Sequence, residues 1–326
     1  MPNQSPSPVF ILSLPRSGST LLQKVMATCG QIRTVPEPWV LLPLYSYDES
    51  LAMFSSFSGT GYRQAIGQLE ESLPGGESDL LKAANAYGSS IYSALGEGHR
   101  YVLDKTPRYN LIARKIFQTF PRAKIIILWR NPLAVMASIS RTWAKGRWTF
   151  PSYEIDLYEG LVELTKAAEE NKGRFLPIQY EEFVRDPENH LLRIQDYLDL
   201  EPDSFDLNSI DGKAFQGKMG DPTGGEEYGS RVSSASVSRW HDSFGSKYRQ
   251  TFGRQYLEWL GQERLSIMGY QMDDLVAELE EIKPTLGSLA DFVSMKAGRL
   301  KTRFQSRIFL WSRHRRKKRL RALRLD

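Results

Sequence analysis

Val9-Phe-Ile-Leu-Ser-Leu-Pro-Arg-Ser-Gly-Ser-Thr-Leu-Leu-Gln-Lys-Val-Met26 passes from a short apolar run rich in strand formers, through a Pro, Ser and Gly turn, into apolar residues at helical spacing. The pattern predicts a strand, a tight loop and a helix. At such a corner the backbone N–H groups and the helix dipole converge on an anion, so Leu14–Thr20 is expected to receive a dianionic ligand. Working outward, Tyr101-Val-Leu-Asp104, Ala123–Trp129 and Arg174–Tyr180 read as further strands. The second is so continuously apolar that it belongs inside a parallel sheet covered on both faces. Asn131-Pro132 opens a helix, with Asn suited to the N-cap and Pro to the first helical position. Helices are also expected over about 152–172, from Asp186-Pro187, over 246–281, and through most of 40–97, with breaks at Ser55–Gly61 and Pro74-Gly75-Gly76. Strands alternating with helices point to an α/β domain with a central parallel sheet.

The composition of the 326 residues, 41% hydrophobic and 25% charged, is that of a globular chain and excludes disordered and collagen-like classes. Its net charge of +5 divides unevenly: residues 299–326 hold 12 of the 43 Lys and Arg but one of the 38 acids, leaving 31 basic and 37 acidic groups elsewhere. The basic balance of the whole chain is therefore no ground for expecting a specific nucleic-acid partner. One cysteine, Cys29, excludes an intrachain disulfide framework, and the four histidines lie too far apart for a local metal motif. No stretch approaches the roughly 18 apolar residues of a spanning helix, and no signal peptide is evident, so a cytoplasmic location is expected.

The nucleoside-triphosphate version of the loop, G-x-x-x-x-G-K-[ST], uses Lys on the β- and γ-phosphates and a hydroxyl on magnesium. Here Ser19 stands in the Lys position and no glycine opens the motif, which leaves Arg16 as the local cation and disfavours phosphoryl transfer. Pro15-Arg-Ser-Gly-Ser-Thr-Leu-Leu22 instead resembles the 5′-phosphosulfate loop of sulfotransferases that use 3′-phosphoadenosine 5′-phosphosulfate (PAPS), in the form found in bacterial enzymes and tyrosylprotein sulfotransferases. Trp129-Arg130-Asn-Pro132, with Ser138 and Arg141 on the following helix, resembles the family's 3′-phosphate motif. An Arg at a strand end offers a bidentate fork to a phosphate, and a Ser on the adjoining helix adds a donor. The resemblance covers mainly residues 9–40, 100–145 and 174–240. It implies a P-loop NTPase-like three-layer fold, with PAPS as co-substrate, no metal, and an acceptor hydroxyl on a carbohydrate, lipid or peptide; Pro284 and Gly287 bound the expected domain at residues 1–285. Ser17, Gly18, Ser19 and Thr20 of the loop, with Arg16, Arg130 and Ser138, are then the expected donor-binding residues.

Sulfuryl transfer needs in-line geometry, a base for the acceptor proton, and positive charge on the oxygen from which the group departs. Glu37, rigidly placed between two prolines just after the first helix, is the expected base, and the resembling branch also uses a Glu there. Lys105, in Asp104-Lys-Thr-Pro107, should emerge at the same sheet edge as Arg16 and help it stabilise the departing phosphate. The family resemblance further implies that Tyr180 lines the nucleotide site and that Arg231, in a Gly- and Ser-rich covering loop over 206–240, closes on it. No acidic pair stands behind the loop at a spacing suited to magnesium.

Beyond Pro284 and Gly287, residues 286–326 read as a basic extension. Leu300, Phe304, Ile308 and Trp311 follow one another at spacings of four, four and three, with Arg299, Arg303 and Arg307 beside them. A basic amphipathic helix of this kind suits an anionic membrane surface. Two other classes fit parts of the pattern: a P-loop kinase or phosphotransferase, disfavoured by the missing lysine, and a non-catalytic membrane-surface adaptor in which the extension alone acts.

Overall fold

The expected strands assemble into a five-stranded, wholly parallel sheet in the order β2-β3-β1-β4-β5. The computed structural model describes residues 5–45, 59–150, 153–211, 231–298 and 300. Along the chain these comprise β1 (Ser7–Ser13), α1 (Ser19–Met26), β2 (Ile32–Thr34), α2 (Gly59–Ser72), α3 (Glu77–Leu95), β3 (Tyr101–Asp104), α4 (Ala113–Thr119), β4 (Lys124–Trp129) and α5 (Pro132–Ala144). After these come α6 (Leu161–Glu170), β5 (Leu176–Gln179), α7 (Tyr180–Arg185), α8 (Pro187–Tyr197), α9 (Lys247–Met268) and α10 (Met272–Glu280), and residues 288–298 are again helical.

Alternation along the strands explains the two covered faces. Phe10 and Leu12 of β1 and Ile125, Ile127 and Trp129 of β4 enter one apolar core with residues of α3 to α6, α9 and α10. Val9, Ile11, Ile126 and Leu128 enter the other, against Leu22, Val25 and Met26 of α1 and Phe183, Leu191 and Ile194 of α7 and α8. The architecture is thus the expected three-layer α/β fold, with the continuously apolar β4 inside the sheet.

Three local readings shift. The edge strand β2 has only three residues and carries no run long enough to register in the sequence. The expected helix over 152–172 is interrupted by a π-helical turn at Asp156–Gly160, where Gly160 lies so close to Asn110 that a Cβ would sit 2.4 Å from its amide nitrogen. The strand expected to reach Tyr180 stops at Gln179, and Tyr180 opens α7.

Chain direction reverses around β1: the path leaves it towards β2 on one side and later reaches β4 and β5 on the other. In open parallel sheets the crevice beyond the carboxyl ends of such strands is where ligands bind. The segments leaving β1, β3 and β4 there carry Arg16, Lys105 and Arg130, respectively.

Candidate active site

The loop after β1 turns tightly, with Ser17 N donating to the Leu14 carbonyl at 3.3 Å, and Arg16 and Gly18 both take left-handed backbone conformations (φ 67° and 91°). Glycine is required at position 18 on two counts. Its φ is costly for other residues, and an added Cβ would lie 2.3 Å from the Tyr180 ring. Gly18 also caps α1, whose first turn has neither a side-chain cap nor an acidic residue. Its leading N–H groups are therefore left to face an anion. Ser17 and Ser19 are buried in this loop.

Next to it, the side chain of Lys105 is almost fully buried, 1% exposed, and its Nζ donates to Glu37 Oε1 at 3.0 Å and to Thr20 Oγ1 at 3.3 Å. Two segments 68 residues apart thus bring the expected base and the expected cation into contact at the mouth of the loop. The Trp39 indole donates to the other Glu37 oxygen at 3.4 Å. Trp39 itself has φ 54°, an unusual conformation for a bulky residue, and the residue is 37% exposed beside the carboxylate.

The segment bearing Glu37 is anchored from below. Asp104, fully buried at the end of β3, accepts from Tyr92 Oη at 2.8 Å, Thr106 Oγ1 at 2.9 Å and Tyr109 Oη at 3.0 Å. Thr106 Oγ1 accepts in turn from Trp39 N at 3.4 Å, and Tyr109 Oη from Leu41 N at 3.1 Å. Upstream, Gln23 Nε2 donates to Thr34 Oγ1 at 2.8 Å and to the Val35 carbonyl at 2.9 Å. Both ends of the Glu37 segment are therefore held by buried polar groups. Burial raises the Asp104 carboxyl to about 6, against the opposing effect of its three hydroxyl donors and the charge of Lys105. The Tyr92 and Tyr109 hydroxyls, buried beside that carboxylate, are pushed well above their ordinary range.

On the other side of the loop lies a cluster of guanidinium groups. Arg16 Nε donates to Ser138 Oγ at 3.3 Å, while Arg130 Nη1 donates to the Arg16 carbonyl at 2.9 Å and its guanidinium packs 4.2 Å from the centre of the Tyr180 ring. Arg130 Nη2 also reaches the Ser236 carbonyl at 3.4 Å, and Tyr180 Oη shares a 2.6 Å hydrogen bond with Ser236 Oγ. These contacts bring one described end of the expected covering loop onto the site. Arg141 Nη1 donates to the Arg239 carbonyl at 2.6 Å, and partial burial lowers its pKa, helped by the charges of Arg239, Arg130 and Arg16 and opposed by Asp242. Arg130 Nε is a buried donor without a hydrogen-bond acceptor. A buried orphan donor amid guanidinium groups is the signature of a site shaped for an anion. The residues present therefore fit the phosphates of a nucleotide.

Of the residues expected from sequence, the structure brings Arg16, Ser17, Gly18, Ser19, Thr20, Glu37, Lys105, Arg130, Ser138 and Tyr180 into one crevice. Arg231 is exposed, and residues 212–230 of the expected covering loop lie outside the described residues. Sequence reasoning missed the Asp104 anchor and the aromatic wall beside Arg16, where Trp143 stacks on Tyr153 at 4.2 Å and the Arg16 guanidinium lies 5.4 Å from the Trp143 ring. An acid at a strand end immediately before a lysine was the available signal for the first. The second depends on two segments ten residues apart meeting in space.

A family model described as the sulfotransferase family matches residues 8–204, well over half of the chain. The chain belongs to the sulfotransferase family. Nodulation protein NoeE of Sinorhizobium fredii is 32% identical to this sulfotransferase over 146 residues, 43% of this chain and 33% of that protein. Protein-tyrosine sulfotransferase 2 of Gallus gallus is 26% identical over 203 residues, 59% of this chain and 51% of that one. The matches thus span a third to about half the length of these relatives. Among solved structures, a sulfotransferase domain from the curacin biosynthetic pathway is similar at 22% identity, covering 72% of this chain and 90% of that one with a TM-score of 0.48. The two motifs that suggested a sulfotransferase, around Arg16 and Arg130, both fall inside the matched span, as do Glu37 and Lys105.

Proposed function

We propose that the protein transfers a sulfuryl group from PAPS to an acceptor hydroxyl. The observation that carries this reading is the position of Lys105 Nζ, buried at the loop mouth and bonded at once to Glu37 and Thr20. That is the juxtaposition of base and cation the chemistry needs, beside a loop whose N–H groups face an anion.

In this mechanism Ser17, Ser19, Thr20 and the leading N–H groups of α1 hold the 5′-phosphosulfate. Arg130, Ser138 and Arg141 take the 3′-phosphate, with Tyr180 and the segment after Arg231 against the nucleoside. Glu37 accepts the acceptor's hydroxyl proton as that oxygen bonds to sulfur, and the bond from sulfur to the phosphate oxygen breaks in line. Lys105 and Arg16 meet the charge that develops on the departing adenosine 3′,5′-bisphosphate. The acceptor enters on the side of Trp39, exposed beside Glu37, whose indole suits a sugar ring, and a carbohydrate or glycolipid acceptor is our reading. The groups given roles here all lie within residues 1–285, and helix 288–298 packs onto the same core.

Incubation with PAPS labelled in sulfur and fractionated glycan, lipid and protein acceptors tests the proposal. Label is expected in the carbohydrate-bearing fraction, with its transfer slowed about a hundredfold or more in Glu37→Gln. Phosphate transfer from ATP and magnesium, with none of sulfate from PAPS, would overturn it.

A further inference from the structure

Helix 288–298 has two unlike faces. On its inner side Met295 is buried in the larger core, and Asp291 is buried, accepting from Arg249 Nη2 at 2.6 Å and from Ser246 Oγ. Just before it, Thr285 Oγ1 donates to the Gly245 carbonyl at 2.9 Å. The helix is therefore fixed to the body rather than trailing from it. Its outer side presents Leu289 and Val293, 76% and 55% exposed, followed by Leu300 at 64% and preceded by fully exposed Leu286. At about 100° per residue, positions 289 and 293 fall within an arc of about 40°, opposite 291 and 295, and Leu300 follows Leu289 in sequence by eleven residues, three helical turns. An apolar row this regular is not the scattered exposure of single leucines common on protein surfaces.

In sequence the same spacing recurs at Phe304 and Trp311, four and eleven residues past Leu300, inside a stretch of 12 basic residues and one acid that, Leu300 apart, lies outside the described residues. The structure thus anchors, at the point where this basic chain begins, a ready-made apolar face. We propose that Leu286, Leu289, Val293 and Leu300 dock into the interface of an anionic lipid membrane, drawn there by the basic residues of 299–326. The two features act on different parts of one target: lipid headgroups meet the cations, and acyl chains receive the leucines. A polyanion would satisfy the charges but offer nothing to the apolar row. A second copy of the chain would cover the row only by bringing two strongly basic segments together. The rest of the chain, with its excess of acids, is repelled by the same surface, so the membrane would be met at this end of the molecule. None of this depends on the donor or the acceptor.

The test is flotation of the full-length protein with vesicles of phosphatidylcholine alone or mixed with phosphatidylserine. Binding is expected to the mixed vesicles, falling by about tenfold or more in the double variant Leu289→Gln, Val293→Gln. The thermal shift with adenosine 3′,5′-bisphosphate should be unchanged in that variant, which separates this result from any failure of the sulfotransferase reading. Both substitutions are on exposed helical positions and leave the inner face intact. The proposal is overturned if neither protein binds the mixed vesicles, or if the variant binds them as tightly as the parent. It is overturned equally if the substitutions weaken heparin binding to the same degree, or if the parent is a dimer that the variant dissolves.

Discussion

The two sides of the crevice are built on opposite electrostatic plans. On the β3 side every charge has its complement at hand: Lys105 faces Glu37, and Asp104 below them is surrounded by three hydroxyl donors. On the β4 side like charges gather, with Arg16, Arg130 and Arg239 all disfavouring the charge on Arg141. A paired arrangement holds groups in place for proton and charge movement at little cost when the site is empty. A cluster of cations is tolerable only at a surface that an anion will neutralise. We propose the first side for the chemistry and the second for holding the nucleotide, with Arg16, between them, serving both.

Substitutions on the two sides should therefore separate turnover from affinity. The largest effect is expected from Lys105→Ala, with transfer slowed about a thousandfold at saturating donor, and Glu37→Gln should cost about a hundredfold or more. Both should change the affinity for adenosine 3′,5′-bisphosphate by less than about tenfold, as calorimetry would read. Loss of affinity without loss of turnover in either variant would break the comparison. Arg130→Ala should do the reverse, weakening the bisphosphate by about ten- to a hundredfold, the worth of a charge-assisted contact, while turnover at saturation holds within a few-fold. Ser138→Ala should weaken binding by roughly fivefold.

Asp104 sharpens the same comparison from beneath. Because it holds Trp39 and Leu41 through Thr106 and Tyr109, Asp104→Asn should lower turnover by about tenfold with little change in donor affinity. Its stability signature has a definite sign. Burial places the folded-state value near 6, above the ordinary 3.8, so the stability it contributes is full below that ordinary value and is lost as the pH rises through about 6. The melting temperature of the parent relative to Asp104→Asn should therefore fall between about pH 4 and pH 6 and level off above. A relative melting temperature that rises over that interval would contradict a buried, desolvated carboxylate.

The parts of this site that were legible in the sequence are those made by one segment at a time. The strand, loop and helix from Val9 to Met26 announce themselves by periodicity, and Arg130 and Ser138 lie eight residues apart on one strand-to-helix corner. Glu37 and Lys105 were each readable as edge residues, but their 3.0 Å contact depends on β2 and β3 lying side by side, and β2 is too short to read. The Asp104 anchor joins three stretches of chain, and no local pattern records such a network. Likewise the π-helical turn at Asp156–Gly160 arises where Gly160 meets Asn110, a tertiary approach that helical periodicity does not encode.

The most direct test of the central claim is calorimetric titration of the full-length protein with adenosine 3′,5′-bisphosphate in the presence of EDTA. The account predicts saturable one-to-one binding that needs no divalent ion and is weakened in Arg130→Ala. No binding, or binding only of ATP and only with magnesium, would contradict it.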